Sequence, residues 1–233
     1  MEGLLSTIQQ ALQLLLYGDA ELWAIVLLSF SVSIKAISLT TPLALLLAFS
    51  LAYGNYPGVR IILAFFNSLL SVPTVVVGLF LYVLLTRQGP FGDLRLLFTQ
   101  SAMVIGQMIL CFPILVALGY AAIQAADVRV WETARTLGAP RWYIILTIFY
   151  EVRYGLLAAV LTGFGRVISE VGISMMVGGN IMGYTRNITT AIALETSKGE
   201  FAQGIALGFV LLSLAFLLTA LLSYIQSKNG GNT

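Results

Sequence analysis

Two stretches of the chain, Ile61–Thr86 and Phe201–Ser227, contain no charged residue at all, and this restricts the fold more than any motif does. A helix needs about 20 apolar residues to cross roughly 30 Å of hydrocarbon. Leu96–Ala126 is charge-free too, although its first residues read partly as loop. Leu22–Ala52 is interrupted only by Lys35, and Trp142–Met182 by Glu151, Arg153, Arg166 and Glu170. The expectation is an all-α, polytopic membrane protein with about five transmembrane helices, forming a single transmembrane domain over residues 1–233. A soluble domain carries about 25% charged residues. This chain of 233 residues carries 9%, with 59% hydrophobic, which is too little charge to cover a globule and too much apolar surface for disorder.

Ahead of the first run, Leu4, Leu5, Ile8, Ala11, Leu12, Leu15 and Leu16 recur on one helical face, with Ser6, Thr7, Gln9, Gln10 and Gln13 opposite. Residues 1–20 therefore read as an amphipathic helix at the interface or packed on the spans. Its lack of a basic leader and of a small-residue cleavage site argues against a secretory signal. Lys and Arg near the span ends put residues 127–141 and the C-terminus in the cytoplasm and the N-terminus outside. Pro42, Pro73 and Pro113 lie within the runs and mark places for kinks. Gly204 and Gly208 form a Gly-x-x-x-Gly pair in the last run, which suits either packing inside the chain or contact with a second copy.

Several chemistries are excluded. The chain has no histidine, so His-based zinc sites, general bases and proton relays are absent. Its one cysteine, Cys111, lies in an apolar run and reads as a small buried hydrophobe. The twelve basic residues are scattered and the net charge is +2, which makes no nucleic-acid footprint. There is no phosphate loop ending in Gly-Lys-Ser/Thr, so any nucleotide chemistry belongs to another chain.

The most informative segment is polar and joins the third and fourth runs: Asp127-Val-Arg-Val-Trp-Glu-Thr-Ala-Arg-Thr-Leu-Gly-Ala-Pro-Arg141. Asp127 suits an N-cap. Gly138 suits a left-handed C-terminal residue, and Pro140 stops continuation. The spacing predicts a short capped helix at the membrane surface, with the look of a docking element. Glu132-Thr-Ala134, Gly138 and Ile148 resemble, in residue type and spacing, the cytoplasmic loop of ABC importer permeases that begins Glu-Ala-Ala. Thr133, Tyr150 and Glu151 depart from that pattern. The resemblance implies that Trp131, Glu132, Thr133, Ala134, Arg135, Leu137 and Gly138 couple the chain to a separate ATP-binding subunit. It implies no catalytic residue or cofactor on this chain. ATP and Mg would lie on the partner.

A second resemblance covers the back half. Gly163-Phe-Gly-Arg166-Val-Ile-Ser-Glu170-Val-Gly172 is similar to a region of importer permeases for oxyanions such as molybdate and sulfate. The run Gly178–Phe201 looks most like tungstate-type permeases. The resemblance implies a homodimer with two ATP-binding subunits and an external oxyanion-binding protein, in the cell membrane, with tungstate as cargo. Molybdate, sulfate or methionine are the alternatives within the family. A self-sufficient carrier or channel is the alternative outside it, and a membrane enzyme lacks candidate catalytic groups.

Residues within spans give the candidates for the path or gate. Arg166 and Glu170 are four apart and can pair on a helix face, either as a structural bridge or beside the path. Thr162, Ser169 and Ser174, with the amides near Gly178 and Gly179, are neutral donors suited to an oxyanion or to helix packing. Lys35 either lines the path or snorkels to an interface.

Overall fold

The computed structural model describes the backbone of residues 2–54, 56–126 and 128–230, and their side chains except at 2–5, 128, 130, 131, 141 and 225–230. Every regular element among the described residues is helical. The amphipathic segment forms α1 (Glu2–Leu16), and α2 (Ala20–Tyr53) follows directly. Asp19 starts α2 by accepting the Leu22 amide at 2.9 Å, and Pro42 is accommodated within the helix without ending it. The second apolar run is not one helix. It divides into α3 (Val59–Leu69) and α4 (Thr74–Leu85), bent by 93° at a break that ends with Pro73. Proline cannot donate to the preceding turn, so the break falls where the sequence allows it.

A loop with a 3-10 turn at Gly92–Leu94 leads to α5 (Gln100–Gln124) and α6 (Val128–Thr136). The fourth run also divides, into α7 (Arg141–Glu151) and α8 (Arg153–Ile168), bent by 74°. Short α9 (Gly172–Gly178), α10 (Ile188–Lys198) and the long α11 (Phe201–Gly230) complete the chain. By length and composition, α2, α5 and α11 can each cross a membrane, and the two bent pairs bring the total to as many as five.

The break between α7 and α8 has no proline or glycine to explain it. Arg153 braces it. The guanidinium donates to the Tyr150 carbonyl at 2.6 Å and lies 4.2 Å and 4.5 Å from the ring centres of Tyr150 and Tyr154. The Tyr150 carbonyl, which also accepts a backbone amide at the end of α7, thus receives a charged donor, and the cation is held by two rings.

Contacts divide the chain into two compact units. One comprises residues 1–36, 72–110 and 164–218. Its apolar core joins Leu22, Ile25 and Val26 to Ile188, Ala191 and Leu207, with Ala11 of α1 packed in. Close approach of α4, α5 and α9 is possible because of glycine. A Cβ on Gly106 would lie 2.3 Å from Ile173 Cγ2, and one on Gly78 would lie 3.1 Å from the Ile173 Cα. The other unit comprises residues 37–71, 111–163 and 219–233. There Ile144, Ile148 and Val152 of α7 pack with Ala48, Ile123 and Leu156, and Phe49 meets Phe149 edge-on at 5.7 Å.

The glycines give a first expected result. Gly106→Ala drives a methyl group into the fully buried Ile173 and should cost about 1–3 kcal/mol. Gly208→Ala meets nothing within 4 Å in the chain, so it should leave stability unchanged or slightly raised. Thermal unfolding in detergent compares the two. A stable Gly106→Ala protein would contradict the packing described.

Candidate functional site

The polar segment between α5 and α7 folds as its sequence predicts. Gly138 has φ +73°, and its amide donates to the Arg135 carbonyl while the Ala139 amide donates to that of Ala134, both at 3.1 Å. These two bonds close the end of α6 on a left-handed glycine. Thr136 strengthens the last turn by donating to the Glu132 carbonyl at 2.9 Å. Pro140 then precedes α7, whose first turn donates the Tyr143 amide to the Pro140 carbonyl. Glu132, Thr133, Arg135, Leu137 and Gly138 are exposed, while Ala134 packs against the apolar cluster under α7. Leu137 is 81% exposed. Between α6 and α7 runs an open groove of about 510 Å³, lined by Thr133, Ala134, Leu137, Tyr143 and Thr147 with Arg129 at its side. Asp127 and the Trp131 side chain lie outside the described residues.

The intramembrane charges are arranged differently from a simple helix face. Arg166 Nη1 meets Glu170 Oε2 at 2.8 Å, but α8 ends at Ile168 and Glu170 sits in the connection to α9. Glu170 is only 2% exposed, whereas Arg166 is 42% exposed. The other carboxylate oxygen of Glu170 accepts the Ile173 amide at 3.2 Å, and its carbonyl accepts the Thr189 hydroxyl at 2.7 Å. Ser174, read as suited to an oxyanion or to helix packing, is fully buried and accepts the Asn187 side-chain amide at 3.0 Å. Asn187 caps α10 through a reciprocal pair of bonds with Thr190, and the Ile188 amide donates to Ser29 at 2.8 Å. The result is a fully buried polar knot that fixes α9, α10 and α2 in one unit.

Thr162 and Ser169 are exposed, but each hydroxyl donates to its own helix, Thr162 to Ala158 and Ser169 to Gly165. Their protons are therefore spent within the helix, a common use of Ser and Thr in apolar surroundings. The Gly179 amide is similarly committed to the Met175 carbonyl. Lys35 is exposed on α2, and no described residue forms an ion pair with it.

A second charged cluster was not legible as such in the sequence. Arg186 lies 3.7 Å from Glu21 and 3.8 Å from Glu195, and Lys198 lies 3.0 Å from Glu195. The buried Glu195 thus has two cations and ties α10 to the loop before it. Only the Glu195–Lys198 spacing of three residues was a signal for this cluster.

Comparison with known proteins gives the family of the chain. Residues 40–229 match the family described as binding-protein-dependent transport system inner membrane component. The chain is 37% identical over 228 residues to the tungstate uptake system permease protein TupB of Peptoclostridium acidaminophilum, covering 98% of this chain and 100% of that one. It is 45% identical over 159 residues to TupB of Campylobacter jejuni, covering 68% and 66%. Similarity to the molybdenum transport system permease protein ModB of Escherichia coli K12 is 28% over 221 residues, covering 90% and 96%.

Proposed function

The chain belongs to the family of binding-protein-dependent transport system inner membrane components, and from that premise we propose that it is the permease of an ATP-driven importer of tungstate. The end-to-end match to a tungstate permease at 37% identity, against 28% for a molybdenum permease, carries this reading. The protein is a multi-pass membrane protein and not itself an ATPase. Two copies form the path, because up to five spans are few to enclose an alternating-access channel. Two ATP-binding subunits, carrying ATP and Mg, dock from the cytoplasm, and a binding protein delivers the oxyanion from outside. The N-terminus lies outside and the C-terminus inside.

In this reading α6 is the coupling helix. It offers Glu132, Thr133, Arg135 and Leu137 outward, with the groove beside Leu137 continuing the same contact face. Ala134 and Gly138 hold the helix in register, and Trp131 belongs to the same segment by its place in the sequence. ATP-driven closure of the paired ATPases pulls on α6. The rigid capped turn at Gly138 passes the motion to α7, and the Arg153 clamp passes it to α8. Thr162 and Arg166, exposed on α8, and Ser169 just after it border the path, and the buried Glu170 and Ser174 set the position of that wall. A self-sufficient ion-coupled carrier would use a central intramembrane acid; Glu170 is neutralised by Arg166, and Glu151 stands at the end of α7 rather than within it.

The test is reconstitution in lipid vesicles with the ATPase and the binding protein. ATP hydrolysis should rise with tungstate at concentrations at least about tenfold below those of molybdate or sulfate, a difference of roughly 1.4 kcal/mol in effective affinity. Methionine should have no effect. Equal stimulation by all three oxyanions would remove tungstate as the preferred cargo. Failure of the ATPase to associate would remove the permease reading.

A further inference from the structure

Arg186 carries a balanced charge but an unfinished set of hydrogen bonds. Its side chain is only 11% exposed, and its guanidinium donates no hydrogen bond to any described residue. Nη1 faces Glu21 at 3.7 Å and Glu195 at 3.8 Å, both beyond hydrogen-bond reach. Nε is buried and has no partner among the described residues. Glu195 gives the same oxygen to Lys198 at 3.0 Å. A guanidinium has five donors, and buried donors are normally satisfied. Two carboxylates thus neutralise Arg186 without supplying the acceptors it needs.

A cavity of about 200 Å³ lies against this guanidinium, lined also by Glu21, Ala24, Ile25, Leu28 and Met182. The loop beneath it is tightly built. The amides of Tyr184, Thr185 and Arg186 all donate to the Ile181 carbonyl, and the Thr185 hydroxyl donates to the Gly178 carbonyl at 2.6 Å. The backbone that carries Arg186 is therefore fixed beside the cavity. The walls define what fits. The volume is below the roughly 300–1,000 Å³ of sites for drug-sized ligands and suits one side chain. Ala24, Ile25, Leu28 and Met182 call for an apolar stem, and the open edge of Arg186 calls for an acceptor with two oxygens. A free dianion has no stem for the apolar walls, and it would meet the Glu21 carboxylate with one guanidinium to hold it. A carboxylate on a short stem meets both demands. It can exchange with Glu21, which is 42% exposed and can turn to water, and the exchange leaves the local charge unchanged.

We propose that this cavity is a docking socket for a glutamate side chain of the external binding protein, which displaces Glu21 and takes the unsatisfied edge of Arg186. The inference rests on the importer reading above, in which the start of α2 lies at the outer face, and it names the contact that holds the delivering partner. Glu21 competes for Arg186 in the undocked chain. Its removal therefore favours docking, whereas removal of Arg186 opposes it.

The test is the affinity of the binding protein for the permease–ATPase complex in lipid nanodiscs, measured by surface plasmon resonance. Arg186→Gln should weaken it about tenfold or more, mainly through faster dissociation. Glu21→Gln should strengthen it about threefold or more, because the competing carboxylate is gone. Glu200→Gln removes the same charge from an exposed position outside the cavity and should change nothing. Unchanged affinity in Arg186→Gln would leave the cavity to water and overturn the proposal. Equal gains in Glu21→Gln and Glu200→Gln would overturn it as well, since net charge alone would explain them. If Arg186→Gln does not assemble, Glu21→Gln decides alone, and an unchanged or lower affinity there overturns the proposal. A wild-type complex that does not bind the binding protein at all would instead remove the importer reading, so the two failures are distinct.

Discussion

Arg166→Leu is expected to cost about 3–5 kcal/mol and to leave little assembled permease in the membrane, because it strands a buried carboxylate. Glu170 is held by the guanidinium at 2.8 Å and by one backbone amide at 3.2 Å. Without the first, the amide alone must satisfy a charge that is 2% exposed. The site must then protonate or open. Opening would disturb the Thr189 bond to the Glu170 carbonyl and, through Asn187, the cap of α10. The double variant Arg166→Leu/Glu170→Gln should recover most of the loss, since it removes the stranded charge along with its partner. Size-exclusion profiles of solubilised protein and thermal unfolding compare all three. A stable, assembled Arg166→Leu protein with altered oxyanion preference would show that the arginine acts on the cargo rather than on the fold.

Gly138→Val should abolish coupling with a smaller effect on the rest of the fold. Nothing lies within 4 Å of a Cβ at this position, so space is not the constraint. The constraint is φ +73°, where a non-glycine residue costs about 1–2 kcal/mol and a branched one is least tolerated. To escape it the chain must give up the two bonds that stop α6, and α7 then starts in a different direction. Tungstate uptake should fall at least about tenfold, and ATP hydrolysis should cease to respond to the loaded binding protein. Gly138→Asn, which tolerates the left-handed region, should retain most activity. Glu132→Ala touches only an exposed side chain and should change stability by no more than about 0.5 kcal/mol. A loss of ATPase association in that variant therefore reports docking directly. Full uptake in both Gly138→Val and Glu132→Ala would end the coupling assignment.

The parts of the molecule legible in the sequence are those set by local rules. Charge-free runs became the apolar helices because bilayer thickness sets a minimum length. The end of α6 followed from Gly138 and Pro140, since one supplies a left-handed residue and the other lacks an amide proton. The break before α4 fell at Pro73. What was not legible depends on contacts between distant residues or between side chain and backbone. The bend between α7 and α8 is braced by the Arg153 guanidinium, and no proline or glycine between the two helices marks it in the sequence. Arg186 meets Glu21 across more than half the chain. Thr162 and Ser169 suited either an oxyanion or helix packing by residue type alone, and only the geometry shows that a helical carbonyl claims each proton.

The Arg153 clamp also has a mechanical meaning. An elbow fixed by proline has a single setting, because covalent geometry imposes it. This one is fixed by a cation between two phenol rings and by one bond to a carbonyl, contacts that each contribute about 0.5–3 kcal/mol. Such a joint holds its angle by several weak contacts, so it can reset without breaking any covalent constraint.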